Sequence, residues 1–176
     1  MSASSPLSAD APVIVDANVF FAIGRPSNPK YDRFRREVQR AGVVLQLPRR
    51  VVGELGGPET DRIRRALEEG WAEIVDAPPP EDADAVAASD IARRVIASDT
   101  RRPEHEVEKA DTLLAGVTIQ QLRDTTATEI NVLTDDVAAR RGIETAIDEL
   151  GYEDAVSVYG LADIIGDDPD GSLTVI

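Results

Sequence analysis

Val13-Ile14-Val15-Asp16-Ala17-Asn18-Val19-Phe20-Phe21 is the stretch whose reading decides the fold. Val13 to Val15 are apolar and β-branched. Such a run suits a buried strand better than a helix start, because branched side chains pack well on a pleated surface. The run ends in a carboxylate. An acid directly after a buried strand lies at the strand's carboxyl edge, where open α/β sheets place their sites. The residue type alone leaves two roles open for Asp16: the cap of a helix beginning at Ala17, or an acid of an active site.

Downstream, strand and helix signals alternate. Ala17 to Ile23 reads as a short helix stopped by Gly24-Arg25-Pro26. Tyr31, Phe34, Val38 and Ala41 recur at helical spacing, with Arg33, Arg36 and Arg40 turned outward. Val43 to Leu47 reads as a second strand, with Pro48 opening a helix that carries Val51, Val52, Glu54 and Leu55. Further helices are expected from about Pro58 to Glu69 and from Ala83 to Ala97, the latter with Val86, Ile91 and Val95 inward. A long helix is expected from about Glu104 to Leu122. Trp71 to Val75, Ile130 to Leu133 and Val156 to Val158 complete the strands, and a helix after Asp136 runs to Leu150. Strands alternating with helices predict a central parallel sheet covered on both faces, a three-layer α/β/α sandwich.

Composition narrows the class. The 176 residues include 33 acidic and 19 basic side chains, a formal net charge of −14. Only Lys30 and Lys109 are lysine; all other basic residues are arginine. Acidic excess with so little lysine resembles proteins of salt-accumulating archaea, where a Debye length of ~3 Å at 1 M salt weakens self-repulsion. The acids are dispersed and 42% of residues are hydrophobic, which argues against a disordered chain. Without cysteine there is neither a disulfide framework nor a thiolate zinc site, so a reducing cytoplasm is expected. No apolar stretch approaches the ~20 residues of a membrane span. The expected organisation is a flexible tail over 1–11, one domain over 12–165 and an acidic tail over 166–176.

Four carboxylates carry the chemistry. Asp16 ends the first strand, and Asp136 follows the Ile130–Leu133 strand, so parallel strands bring both to one sheet edge. Glu54 lies within about two turns of the same edge. On the long helix, Asp111 lies four residues after Val107 and three before Leu114, which places it at the border of the buried stripe. Glu104 and Glu108 share that flank. A carboxylate there is costly unless it is paired, hydrogen-bonded or bound to a cation; Lys109 or a nearby arginine is the simple alternative partner. Clustered carboxylates call for a hard cation, and Mg²⁺ or Mn²⁺ with oxygen ligands suits phosphodiester hydrolysis.

At these residues the sequence resembles PIN-domain ribonucleases. Val-Ile-Val-Asp16-Ala-Asn18, Glu54-Leu55, Lys109-Ala110-Asp111-Thr-Leu-Leu-Ala and Val-Leu-Thr134-Asp135-Asp136 look like the family's four acidic motifs, in order, over roughly residues 13 to 160. The resemblance implies Asp16, Glu54, Asp111 and Asp136 as metal-binding and catalytic acids. Asn18, Thr134, Asp135 and Glu108 support them, with Thr134 holding the Asp136 side by hydrogen bonds. Asp135 beside Asp136 leaves two possible ligands, and the Thr-x-Asp spacing favours Asp136. Gly53 stands where many members carry a small hydroxyl residue, and the single His105 is not required. The resemblance further implies an endoribonuclease, toxin-like or RNA-processing, a homodimer and, for a toxin, an antitoxin partner. A PIN-fold scaffold without activity is the alternative. A haloacid dehalogenase-type phosphatase wants a second Asp where Asn18 stands.

An RNA substrate must be held by local cations in so acidic a chain. Arg49 and Arg50, beside the Glu54 helix, are the candidates nearest the cleft; the Arg62-Arg64-Arg65 cluster and Arg101-Arg102 read as ordinary solvated faces. Aromatic residues make up 4% of the chain, and no base-stacking platform is evident in the pattern.

Overall fold

The computed structural model describes residues 5–77, 79–107 and 109–166, with backbone alone for 109–111. Five strands form one sheet: β1 (Val13–Val15), β2 (Leu45–Pro48), β3 (Ala72–Val75), β4 (Ile130–Leu133) and β5 (Val156–Tyr159). Every pairing is parallel and the order is β3-β2-β1-β4-β5. The strands carry apolar side chains on both faces, as expected where helices cover a parallel sheet from two sides. Val13 and Val15 point into one layer, against α1 (Ala17–Ile23), α2 (Pro29–Ala41), α3 (Arg49–Glu54), α4 (Asp61–Glu68) and α8 (Leu161–Ile165). Ile14 points into the other, against α5 (Ala83–Thr100), α6 (Lys109–Asp124) and α7 (Val137–Leu150). This is the three-layer sandwich read from the alternation of strands and helices.

The two layers are packed by different means. The first is aromatic: the Trp71 ring lies parallel to Phe20 at 6.3 Å and meets Tyr31 and Phe34 edge-on at 5.7 and 6.2 Å. The second is built from small side chains. Ala85, Ala88 and Ala92 of α5 are buried against α6 and α7. A Cβ on Gly142 would lie 3.2 Å from the Ala92 backbone, and one on Gly116 would fall 2.2 Å from Ser89 Oγ and 2.6 Å from Pro80 Cγ.

Several boundaries move, each for a local reason. β2 begins at Leu45, where its N–H first bonds the Trp71 carbonyl at 3.0 Å; Val44 is exposed. Pro48 closes β2 and caps α3 instead of opening it. Pro58 starts no helix, because α4 begins at Asp61 after the Thr60 cap. The expected Glu104–Leu122 helix is broken: a 3₁₀ turn covers Glu104–Glu106, and extended Val107 packs with Ile96 and Ala97. Val86 faces solvent, because the alanine stripe already fills the α5 interface. Arg33 is half-buried, donating to the Ile165 carbonyl at 2.5 Å. At the chain's start, Leu7 and Ala11 are buried. Glu108 and residues 167–176, most of the stretch read as an acidic tail, lie outside the described residues. No helix among the described residues is long and apolar enough to cross a membrane.

The Gly116 contact predicts an inverted helix-propensity result. Gly116→Ala should gain up to about 1 kcal/mol of helix propensity, yet lose more to overpacking, typically about 1–3 kcal/mol. Net destabilisation in denaturant titration is expected; a more stable variant would show that the α5–α6 contact is looser than described.

Candidate active site

The strand order reverses between β1 and β4, and in open α/β sheets such a point leaves a crevice beyond the carboxyl ends. Asp16 and Thr134 stand side by side there because Val15 and Leu133, the residues before them, are register partners. The Asp16 N–H bonds the Leu133 carbonyl at 2.9 Å, carrying the ladder one step past the strand.

A closed polar network follows. Thr134 Oγ1 donates to Asp16 Oδ2 at 3.0 Å, and Asn18 Nδ2 donates to the same oxygen at 2.9 Å. Asn18 Nδ2 also reaches Thr134 Oγ1 at 3.3 Å, and Asn18 Oδ1 accepts the Asp135 N–H at 2.7 Å. Asp16 Oδ1 accepts the Ala17 N–H at 2.8 Å, capping α1. The two roles left open for Asp16 are therefore compatible: one oxygen serves the helix, while the carboxylate faces the crevice. An ionised carboxylate offers about four lone-pair sites, so acceptor capacity remains beyond these three bonds.

The following acids divide their work. Asp135 Oδ1 accepts the Leu161 N–H at 3.2 Å, tying the β4 end to the start of α8. Asp136 Oδ1 accepts the Ala139 N–H at 3.0 Å, capping α7, and the Asp136 N–H reaches Thr134 Oγ1 at 3.3 Å. Burial pushes the Asp16 carboxyl above its ordinary range; the Thr134, Ala17 and Asn18 hydrogen bonds pull the other way, and the Asp136 charge adds to the rise.

Glu54, at the end of α3, lines a small cavity with Asp16, Arg50, Pro48, Val51 and the α6 residues Leu113, Leu114 and Val117. Asp16 and Glu54 thus line one cavity, while Asp136 acts on Asp16 from the neighbouring strand end without lining that cavity. Asp111 lies in the first turn of α6. Its side chain is outside the described residues, and among the side chains described no three Asp, Glu or His groups close on one metal position. The oxygen donors on the page nevertheless suit a hard divalent ion, because a desolvated carboxylate beside a second one is relieved by such a charge.

The two candidate substrate arginines differ. Arg49 is ion-paired to Asp76. Arg50 is exposed, lines the Asp16–Glu54 cavity and has no ion-pair partner among the described residues. Two features escaped the sequence reading: Phe21, one turn past Asn18, is 56% exposed, and Val137, next to Asp136, is 77% exposed. Helical spacing alone could not say that these apolar residues near the helix starts face out. His105 is exposed on the 3₁₀ turn, within 4.0 Å of Glu106.

A family model described as the halobacterial PIN domain matches residues 9–172. No curated protein sequence and no solved structure gives a significant match to the chain.

The raised Asp16 carboxyl has a signed consequence. A group that binds its proton more tightly when folded lowers stability as pH rises from its ordinary value through the raised one. In chelator, wild-type stability should carry that falling component across this window. Asp16→Asn should lack that pH-dependent component, whatever offset in absolute stability follows from its amide nitrogen facing a donor of the network. Thermal melts against pH decide the matter, and coincident profiles would mean that Asp16 is solvated.

Proposed function

The chain belongs to the halobacterial PIN-domain family, and from that premise we propose that it is a Mg²⁺- or Mn²⁺-dependent endoribonuclease that hydrolyses RNA phosphodiesters. PIN domains are generally nucleases that use divalent metals and bind RNA. The observation that carries the finer reading is the Asp16–Asn18–Thr134 network, which spends two polar side chains on orienting a desolvated carboxylate toward the switch-point crevice. A purely structural acid has no need to line a cavity shared with a second acid and an arginine.

Asp16, Glu54, Asp111 and Asp136 hold the ion in this reading. Once bound, the ion supplies charge neutralisation at the phosphoryl oxygens and a lowered pKa for the attacking water. The chain does the remainder. Thr134 and Asn18 keep Asp16 in one rotamer, so its oxygens are placed before substrate arrives. Asp135 is drawn off toward α8 through Leu161, and the charge acting on Asp16 is that of Asp136; both support Asp136 as the ligand. Arg50 meets the substrate phosphate, because its guanidinium is not committed to a carboxylate, whereas Arg49 is. Leu113, Leu114 and Val117 give the cavity an apolar wall that limits competing water. A homodimer, an antitoxin or an RNA-processing role, and a cytoplasmic location belong to the same proposal.

Incubating total RNA with the protein in high salt and Mn²⁺ or Mg²⁺ tests it. Wild type should cut and lose activity on chelation, and Asp16→Asn should be weaker by about 100-fold or more. Thr134→Val, which keeps the shape but removes the hydroxyl, should lose about 10- to 100-fold in metal affinity or rate. A folded wild type that binds divalent ion but never cuts RNA would replace the nuclease reading with that of a scaffold.

A further inference from the structure

Phe21 stands out among the exposed apolar side chains because a cation sits on it. The Arg62 guanidinium carbon lies 5.5 Å from the centre of the Phe21 ring. Arg62 reaches across from α4 and is held at both ends. Its Nη1 donates to the Phe20 carbonyl at 3.4 Å, and its own carbonyl accepts the Tyr31 phenol at 2.7 Å. Tyr31 in turn is buried against Trp71, and burial pushes its hydroxyl up to about 12. Arg62 has no ion-pair partner among the described residues, although its neighbours Arg64 and Arg65 pair with Asp61 and Glu69. Among the described residues, Arg62 is thus preplaced over an exposed ring without a carboxylate partner.

The position of the pair matters. Phe21 is three residues after Asn18 on α1, hence on the same helix face and about 4.5 Å further along the axis than Asn18, whose side chain helps orient Asp16. One helical turn therefore separates the ring from a residue that orients the carboxylate. The chemistry follows from the salt environment implied by the halobacterial family. Phosphate contacts lose strength steeply as salt rises, and at 1 M the screening length is only ~3 Å. Stacking of a base on an aromatic face releases no counterions, so it is the part of such an interface that salt weakens least. We infer that Phe21, with Arg62, forms the stacking platform for the base next to the scissile phosphate, a positioning device for single-stranded RNA. This rests on the RNA-nuclease reading above.

Phe21→Trp gives a direct probe, because the chain's one tryptophan, Trp71, is buried and shielded. Short single-stranded RNA is titrated in molar salt and Mg²⁺ into the full chain carrying Asp16→Asn with Phe21→Trp. Anisotropy of labelled RNA reports saturation independently, and the Asp16→Asn chain alone controls for Trp71. Quenching of the new indole at saturation is expected, together with a 5- to 100-fold weaker binding in Phe21→Ala that persists as salt is raised. Cleavage by Phe21→Ala should show a raised KM with kcat less affected, restored by Phe21→Trp. Unquenched emission at saturation, or unchanged affinity in Phe21→Ala, overturns the platform while leaving the nuclease reading to its own assay. No RNA binding by any form overturns both. If Phe21→Ala sediments as a smaller species with RNA affinity unchanged, the patch is a protein contact and the inference fails.

Discussion

One hydrogen bond, from Thr134 Oγ1 to Asp16 Oδ2, joins residues 118 apart in sequence. It forms only if β1 and β4 are parallel neighbours in the observed register. A slip of one residue would turn Asp16 to the opposite face. Everything else at the sheet edge depends on that closure. Asn18 completes it by bonding both partners and then the Asp135 backbone, so that α1 and the β4–α7 connection are fixed relative to one another. The carboxylate thereby accepts three donors, one of them the capping N–H of α1, while remaining desolvated enough for its proton affinity to rise.

The fold was legible because its signals were redundant. The apolar β-branched run Val13–Val15 led directly into Asp16, and the mostly apolar Ile130–Leu133 led through Thr134 to Asp135 and Asp136; helices with clear apolar stripes separated them. Where the reading slipped, a tertiary contact outweighed the local pattern. Val107 has helical spacing from Leu114, but its burial against Ile96 and Ala97 holds it extended and ends the turn before α6. Val86 sat on an apparent stripe, yet α5 packs through alanines, and a larger residue on that flank is left outside. At the site, the parallel pairing of β1 and β4 is what puts Asp16 and Asp136 at neighbouring strand ends. Which oxygen each would use, and which arginine a carboxylate would claim, depends on side-chain geometry that spacing does not encode.

The surface follows its own logic. Most arginines that find partners do so locally, as Arg36 with Asp32 or Arg93 with Asp90. Exposed pairs of this kind are worth little individually and less in concentrated salt. Stability must therefore come from the two buried layers, the aromatic cluster around Trp71 and the tightly apposed small residues of α5, α6 and α7. The acidic surface is left to keep the particle hydrated and soluble.

The distance between β1 and β4 along the chain also sets a clock. β1, β2 and β3 can pair as soon as they leave the ribosome, but β1 must then wait as an unpaired edge until β4 is made. At a synthesis rate of about 5–20 residues per second, that wait is on the order of ten seconds. Until then Asp16 has neither Thr134 nor Asp136 beside it. On the nuclease reading proposed above, the carboxylate site therefore stays unassembled until most of the chain has been translated.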